Sequence, residues 1–580
     1  MPLRGFKSLL ETYILICLQA MFLRIFTACV LLMNYVDPGC GEHILILALP
    51  HFSHTLNLMN VVNYVTKTYG HTATVVTTTK LASKLKLRSI PAVDILISGA
   101  FDQIRLDFES MESKLAKDTC HSGGKINTLL NSKIGKLCDL FLNDTSLFTR
   151  LEHRQFDLAI LDNVPLQVCF AFIAYKLSLP YIYFGILYDP VKMRIPFSPA
   201  STQSIFLGLG DRMTFSERMY NAFIYIALVI APGYVPPVTD IAKYTSNKPP
   251  ITADQLVSKA SFHLVTTDFL IDYPRPSLPH VAFVGGTSTK PSKPLSERFQ
   301  TFVDSSQYGA VIVSFGSGCA GFLHERIDTF VEAFKRRIDL NFVVKYGVSE
   351  YIDGNIMFTP WIPQNDLLGH PKTVAFMTHC GNNGQFEALY HGIPMIGIPL
   401  CCDQFYNCNR MRQKGYGVVL DFCLFTVNDI MKALLDVTTQ KNYVINIKNA
   451  STIFRGRSES PLQRASYWVD HIARFGDKFV HSYSVDMPWY QYHSLDVLMV
   501  VGLWDRASNG INYCAISPKC NSTDTATSTQ TILYSTHVVS IVKAGEKHFL
   551  VCMTISGIKP RLPAWKAGVL TTRPIRPCGK

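Results

Sequence analysis

HCGNNGQFEALYHGIPMIGIPLCCDQ, residues 379–404, packs a histidine, two glycines, two asparagines and a glutamate into nine residues, then runs into an apolar segment ending in Asp-Gln. TVAFMT before it (Thr373–Thr378) reads as a short buried strand, and NGQFEALYHG reads as a helix that opens near Asn383 and ends at Gly392. His379 and Gly381 therefore fall in a strand-to-helix turn. Such a turn aims backbone N–H groups and the positive end of the helix dipole at one point, which suits a phosphate. Glycine lets the ligand come close to the backbone. Asn383 and Glu387 lie four apart on one helix face, where a carboxylate suits ribose hydroxyls better than phosphates. PMIGIPL reads as the next strand and delivers Asp403 and Gln404 beyond its C-terminal end, where open α/β sheets hold their ligands. A sugar nucleotide fits all of these features.

The 580 residues are 48% hydrophobic and 17% charged, enough to bury two sizeable cores and too apolar for a disordered chain. The net charge of +12 is unevenly spread: residues 505–580 hold ten Lys/Arg against three Asp/Glu, more than half of the excess. The +5 left for the other 504 residues argues against a nucleic-acid partner. Ile14–Val36 is apolar, broken by Arg24 and followed by Pro38-Gly39-Cys40-Gly41, which fits a secretory signal better than a membrane span. A start at Met21 would make that signal compact. Entry into the secretory pathway makes the Asn-x-Ser/Thr sites at Asn143, Asn449 and Asn521 candidates for glycosylation and permits disulfides among the sixteen cysteines. Their spacing shows no paired metal-binding CxxC and does not fix a connectivity.

Two βαβ patterns follow the signal. The first runs from HILILALP through HFSHTLNLMNVVNYVTKTYG to HTATVVTTT, and the second from GAVIVSFGSG through HERIDTFVEAFKRR to NFVVKYG. VGGTSTKPSKPLSER, residues 284–298, is rich in Gly, Pro, Ser and Lys and reads as the linker between them. The expected architecture is α/β, with two Rossmann-like domains facing each other across a cleft.

WIPQNDLLGHPKTVAFMTHCGNNGQFEALYHGIPMIGIPLCCDQ resembles the donor-binding signature of the UDP-glycosyltransferase family, which includes the animal UDP-glucuronosyltransferases. FSH after the first strand, FDLAILD, DYPRPSLPHVAFVGG, VIVSFGS and YQYHSLDV extend the resemblance over roughly residues 41–497. It implies the GT-B fold, with a signal peptide over 1–40, an acceptor-binding domain over 41–285, a UDP-sugar-binding domain over 286–490 and an altered tail over 491–580. It further implies that Trp361 stacks on uracil, Gln364 meets its edge and Glu387 holds the ribose. Ser314, His379, Gly381 and Asn383 would receive the diphosphate, and Asp403 with Gln404 the sugar hydroxyls. The family's base matches His54, oriented by Asp162; an imidazole suits removal of a proton from an acceptor hydroxyl, and a carboxylate fixes its tautomer. His51 is a rival three residues upstream but lies outside the matching triplet. The expected reaction is inverting transfer of a hexose to a small lipophilic acceptor, with residues 189–251 lining the acceptor pocket. No Asp-x-Asp pair occurs in the chain, and neither metal nor cofactor is expected.

The sequence departs from the family pattern in three places. Cys380 stands where the family has the first glycine of His-Gly-Gly, which would put a side chain beside the phosphates and narrow the pocket. Thr266 aligns with an arginine that glucuronosyl members direct at the sugar carboxylate, which favours UDP-glucose over UDP-glucuronate unless Arg275, nine residues on, swings into the cleft. Thirdly, VLMVVGLW stops at Asp505-Arg506, too short for the family's membrane anchor, and the tail beyond it lacks the periodicity of a domain. The chain is expected in the endoplasmic reticulum, luminal or loosely membrane-associated, and compatible with a homo-oligomer. A catalytically weak member that binds UDP-sugar or a lipophile is the alternative that Cys380 and the tail suggest.

Overall fold

The computed structural model describes residues 41–118, 135–163, 166–203, 207–230, 248–316 and 320–503, and three strands between 529 and 555. The proposed signal and Asn521 lie outside the described residues. Two compact units are present, Met1–His493 and Ser494–Lys580.

The first unit holds two seven-stranded sheets. Strands β1 (His43–Leu47), β2 (Thr72–Thr77), β3 (Val93–Ile97), β4 (Leu158–Asp162), β5 (Tyr181–Gly185), β6 (Phe262–Val265) and β7 (Val281–Phe283) are all parallel, in the order β3-β2-β1-β4-β5-β6-β7. β8 (Gly309–Ser314), β9 (Leu340–Lys345), β10 (Tyr351–Asp353), β11 (Ile356–Thr359), β12 (Thr373–Thr378), β13 (Met395–Gly397) and β14 (Gly417–Val419) follow the order β10-β11-β9-β8-β12-β13-β14, parallel except for the β10–β11 hairpin. Parallel strands covered on both faces must be apolar throughout, and LAILD, GAVIVS and TVAFMT are almost wholly buried. In each sheet the chain first moves outward on one side and then returns to the other. The reversals fall between β1 and β4 and between β8 and β12, and such switch points open crevices at the C-terminal strand ends. This is the expected pair of Rossmann-like folds.

Helix α1 (Phe52–Tyr69) covers the first sheet through Leu58, Val61, Val62 and Val65, and ends on Gly70 in a left-handed conformation. Helices α2 (Asn382–His391) and α3 (Gln404–Gln413) flank β13, and α4 (Lys441–Arg455) packs on α2. The last long helix, α5 (Pro461–Phe475), returns to the first half. Ser460 and Gln463 form its capping box, and Ala465, Val469 and Ile472 join the core beneath α1. Trp468 stacks on Phe262 with centroids 4.5 Å apart.

The two halves are also joined by buried charge. Asp272, between β6 and β7, accepts from Arg275 Nη2 at 2.8 Å and from Arg410 Nη1 of α3 at 3.1 Å, and further bonds reach it from Thr267 and Tyr406. Arg410 is fully buried and its remaining donors go to Asn382 and Gln385 of α2. Burial raises the Asp272 carboxyl, but the two guanidinium groups outweigh it and draw it down to about 2.

In the second unit β15 (Thr529–Tyr534), β16 (His537–Ala544) and β17 (His548–Ile555) form an antiparallel sheet. HVVSIVKA and HFLVCMTI are rich in β-branched and apolar residues, which suits strands. Among the described residues no helix is long and apolar enough to cross a membrane.

Removing one partner of a buried ion pair leaves the other charge uncompensated. Asp272→Ala should therefore lower unfolding stability by about 3–5 kcal/mol. Denaturant unfolding checks this, and a loss below about 1 kcal/mol would mean that the cluster does not hold the halves together.

Candidate active site

The strand ends at the two switch points face a common cleft. HFSH follows β1 after three residues, so His54 enters on the first turn of α1, and Asp162 closes β4, the neighbouring strand. His54 Nδ1 lies 2.8 Å from Asp162 Oδ2, which also accepts from the Leu49 amide at 3.1 Å. The carboxylate is buried, whereas the imidazole keeps 31% of its side-chain surface. With Nδ1 on Asp162, Nε2 is the nitrogen on the other side of the ring. His51 bonds Ser53 through Nδ1 at 2.9 Å, and burial together with the His54 charge pushes it down to about 3. It is neutral and occupies the N-cap position of α1, whereas the bond to Asp162 described above is made by His54.

The second sheet supplies a polar pocket opposite. Ser314 ends β8, and its buried hydroxyl has no hydrogen-bond partner among the described residues. His379 follows β12 with its ring clasped between two glycines: a Cβ on Gly316 would come within 2.8 Å of it and one on Gly381 within 2.5 Å. Burial and the nearby Lys345 charge hold His379 down to about 4, so it is a neutral donor. Gly381 precedes the first turn of α2. Asn383 Oδ1 accepts from Asn57 Nδ2 of α1 at 2.7 Å, a bond that crosses the cleft.

Trp361 is 48% exposed, with Phe52 edge-on at 5.5 Å and the ammonium groups of Lys345 and Lys84 at 4.5 and 5.0 Å from its ring. Gln364 Nε2 donates to Glu387 Oε2 at 2.5 Å. Burial lifts the Glu387 carboxyl to about 7 against that bond. Asp403 is close enough to His54 for their charges to interact, takes a bond from Asn407 Nδ2 at 2.5 Å, and is raised above the usual carboxylate range by burial. Gln404 Oε1 accepts from the Leu400 and Cys401 amides at 2.9 and 3.2 Å and closes the turn before α3.

A family model described as UDP-glucoronosyl and UDP-glucosyl transferase matches residues 42–503. The chain belongs to that family. UDP-glucuronosyltransferase 2B1 of Rattus norvegicus is 31% identical over 80% of this chain and 91% of its own length, and UDP-glucuronosyltransferase 1A9 of Mus musculus 35% identical over 62% and 69%. Among solved structures, spinosyn forosaminyltransferase SpnP covers 75% of this chain and all of its own with a TM-score of 0.52 at 15% identity. A UDP-glucosyltransferase from Polygonum tinctorium covers 75% and 99% with a TM-score of 0.50, also at 15% identity. These two structural likenesses show the GT-B fold. The family match and the UDP-glucuronosyltransferase relatives make the protein a glycosyltransferase.

One sequence expectation about this glycosyltransferase's cleft is corrected. Cys380 puts no side chain beside the turn: it is fully buried and disulfide-bonded to Cys408 of α3, among the apolar residues under the second sheet. Arg275, named above as the alternative cation, is held by Asp272 and Tyr406 with its guanidinium over the Tyr188 ring at 4.5 Å. Thr266 is buried, its carbonyl taking a bond from Asn382 Nδ2 at 2.9 Å. Lys345 is a site cation that sequence reading missed. It ends β9 beside the switch point, donates to the Gly316 carbonyl at 2.8 Å, and is pushed down to about 8 by burial and by Lys84. Its place at the C-terminal end of a strand was the available signal. Asn143 and Asn449 are exposed, and the acceptor stretch 189–251 falls partly outside the described residues.

Between the ordinary glutamate pKa and about 7, folded Glu387 keeps a proton that the unfolded chain has released. The folded state binds more protons across that window, so this group's contribution to stability falls as pH rises. The melting temperature of the unsubstituted protein should drop relative to that of Glu387→Gln between about pH 5 and about pH 8. Parallel curves would place the titration elsewhere.

Proposed function

We propose that this family member is an inverting UDP-hexose transferase acting on hydroxyls of small lipophilic acceptors, with His54 as general base. The observation that carries the reading is the His54–Asp162 bond of 2.8 Å at one switch point, facing the His379–Gly381 turn of the other. His54 Nε2 takes the acceptor proton while Asp162 holds Nδ1–H and stabilises the imidazolium. The acceptor oxygen then bonds to the anomeric carbon from the face opposite UDP, and the bond from that carbon to the β-phosphate oxygen breaks. Leaving charge meets the Ser314 hydroxyl, the neutral His379 ring, the amides at Gly381 and the Lys345 ammonium, so the transfer needs no metal. Uracil stacks on the open part of Trp361, with Gln364 at its edge. Glu387 accepts from the ribose, and Asp403 from the sugar hydroxyls. The disulfides Cys138–Cys169 and Cys380–Cys408 support an oxidising compartment of the secretory pathway. With the Cys380 side chain out of the cleft, the main motive for a catalytically weak binder is gone.

His54→Ala should cut turnover by about 10²-fold or more while UDP affinity stays nearly intact, and Asp162→Asn should cost turnover similarly because an amide cannot stabilise the imidazolium. Near-normal turnover of either folded variant would reject the base assignment.

The donor is proposed to be UDP-glucose in preference to UDP-glucuronate, since Thr266 brings no cation and both neighbouring arginines are engaged with Asp272. Equal concentrations of the two donors with one accepted phenol decide it. Faster formation of glucuronide would overturn the preference.

A further inference from the structure

Cys380 lies inside the turn proposed to receive the diphosphate, at a φ of +63°, a region that side-chain-bearing residues adopt at a cost. Its Sγ is bonded to that of Cys408 on the second turn of α3. The bridge lies against Gly397 at the end of β13, where a Cβ would come within 2.5 Å of one sulfur and 2.6 Å of the other. Next to Cys408, Asn407 donates through Nδ2 to the Cys380 carbonyl at 3.1 Å and to Asp403 Oδ2 at 2.5 Å. Gln385 of α2 donates in turn to the Asn407 carbonyl at 2.8 Å.

We propose that the Cys380–Cys408 disulfide is a positioning device for the donor site, which clamps the His379–Gly381 turn to α3 in its left-handed shape and makes UDP affinity sensitive to thiols. This rests on the UDP-binding reading above. The bridge supplies the constraint that glycine would make unnecessary, because glycine enters the left-handed region without a steric penalty. An added dithiol breaks the Sγ–Sγ bond, leaves a hydrogen on each sulfur and closes to its own cyclic disulfide. Cys380 can then relax out of the strained conformation. The relaxation carries the Gly381 amide away from the phosphate position and loosens the Asn407 bond that orients Asp403.

The test is titration of UDP into the purified full chain, with and without dithiothreitol, alongside two double variants. Opening the bridge should weaken UDP binding roughly tenfold, the scale of one left-handed residue, and raise the donor KM by the same factor with the acceptor KM unchanged. Cys380→Ala/Cys408→Ala should match the reduced protein under both conditions. Cys380→Gly/Cys408→Ala should bind within about twofold of the oxidised protein and ignore the dithiol, since glycine holds the same φ without a bridge. That variant keeps Cys138–Cys169 and Cys423, which is also disulfide-bonded, and so separates this bridge from the others. Equal UDP affinity before and after reduction, with thiol titration showing the bridge open, would overturn the proposal. So would a glycine variant as weak as the alanine one. Failure of the oxidised, unsubstituted protein to bind UDP would instead sink the functional reading, and the proposal with it.

Discussion

Asp272 accepts hydrogen bonds from Arg275, which belongs to the first sheet's half, and from Arg410 on α3 of the second, all three side chains being buried. An ion cluster removed from water is stable only when its geometry is specific, so the arrangement of the halves must keep these three side chains in register. The consequences reach the cleft along short paths. Arg410 holds Asn382 and Gln385, which orient the helix behind the His379–Gly381 turn, and Asn382 also bonds the Thr266 carbonyl of the first half. The return of α5 to the core beneath α1 and the Asn57–Asn383 bond close the same gap from other sides. His54 and Asp403 come from different halves, and their approach depends on all of these contacts.

The charges in the cleft are unbalanced in a way that suits its proposed ligand. Lys84 and Lys345 flank Trp361 without a carboxylate within ion-pair distance among the described residues, and His379 is held neutral beside them. Glu387, the acid placed for ribose, is raised to about 7 by burial. A site rich in donors, with the charge of Glu387 disfavoured by burial, is unfavourable while empty and favourable once a diphosphate neutralises the cations. Asp162 is the exception because its negative charge is used within the protein, on His54 and the Leu49 amide. The acid beside the base is thereby separated from the positive field that receives the leaving group.

Much of this was legible in the sequence because local rules and tertiary demands agree there. TVAFMT forms its strand at the bounds read from it, the helix after His379 ends at Gly392 as its left-handed glycine requires, and FSH and FDLAILD bring His54 and Asp162 together across 108 residues. Arg410 was not legible: a charged residue on a helix reads as a solvated face until its partner, 138 residues away, is known. Cys380 misled for the same reason. A side chain in place of glycine reads as an obstruction in the pocket, and only the position of Cys408 shows that it points the other way. The turn of Gln404 toward its own backbone is likewise decided by the geometry of the loop before α3, which no spacing records.

The same buried cluster bears on the sugar. A glucuronate differs from a glucose by one carboxylate, which in a closed cleft needs a cation in direct contact or loses several kcal/mol to desolvation. Arg275 and Arg410 lie close behind the site, but each is spent on Asp272, and drawing either toward a ligand would unpair the carboxylate on which the domain arrangement rests. Lys345 sits by Trp361 and the Gly316 carbonyl, the end of the cleft proposed for the nucleotide. Asp403 stands at the sugar end, where a second carboxylate would raise its pKa further and weaken its bond from Asn407. In the donor reading proposed above, a neutral hexose asks for none of these adjustments: its hydroxyls would donate to Asp403 and leave both arginines where the fold needs them.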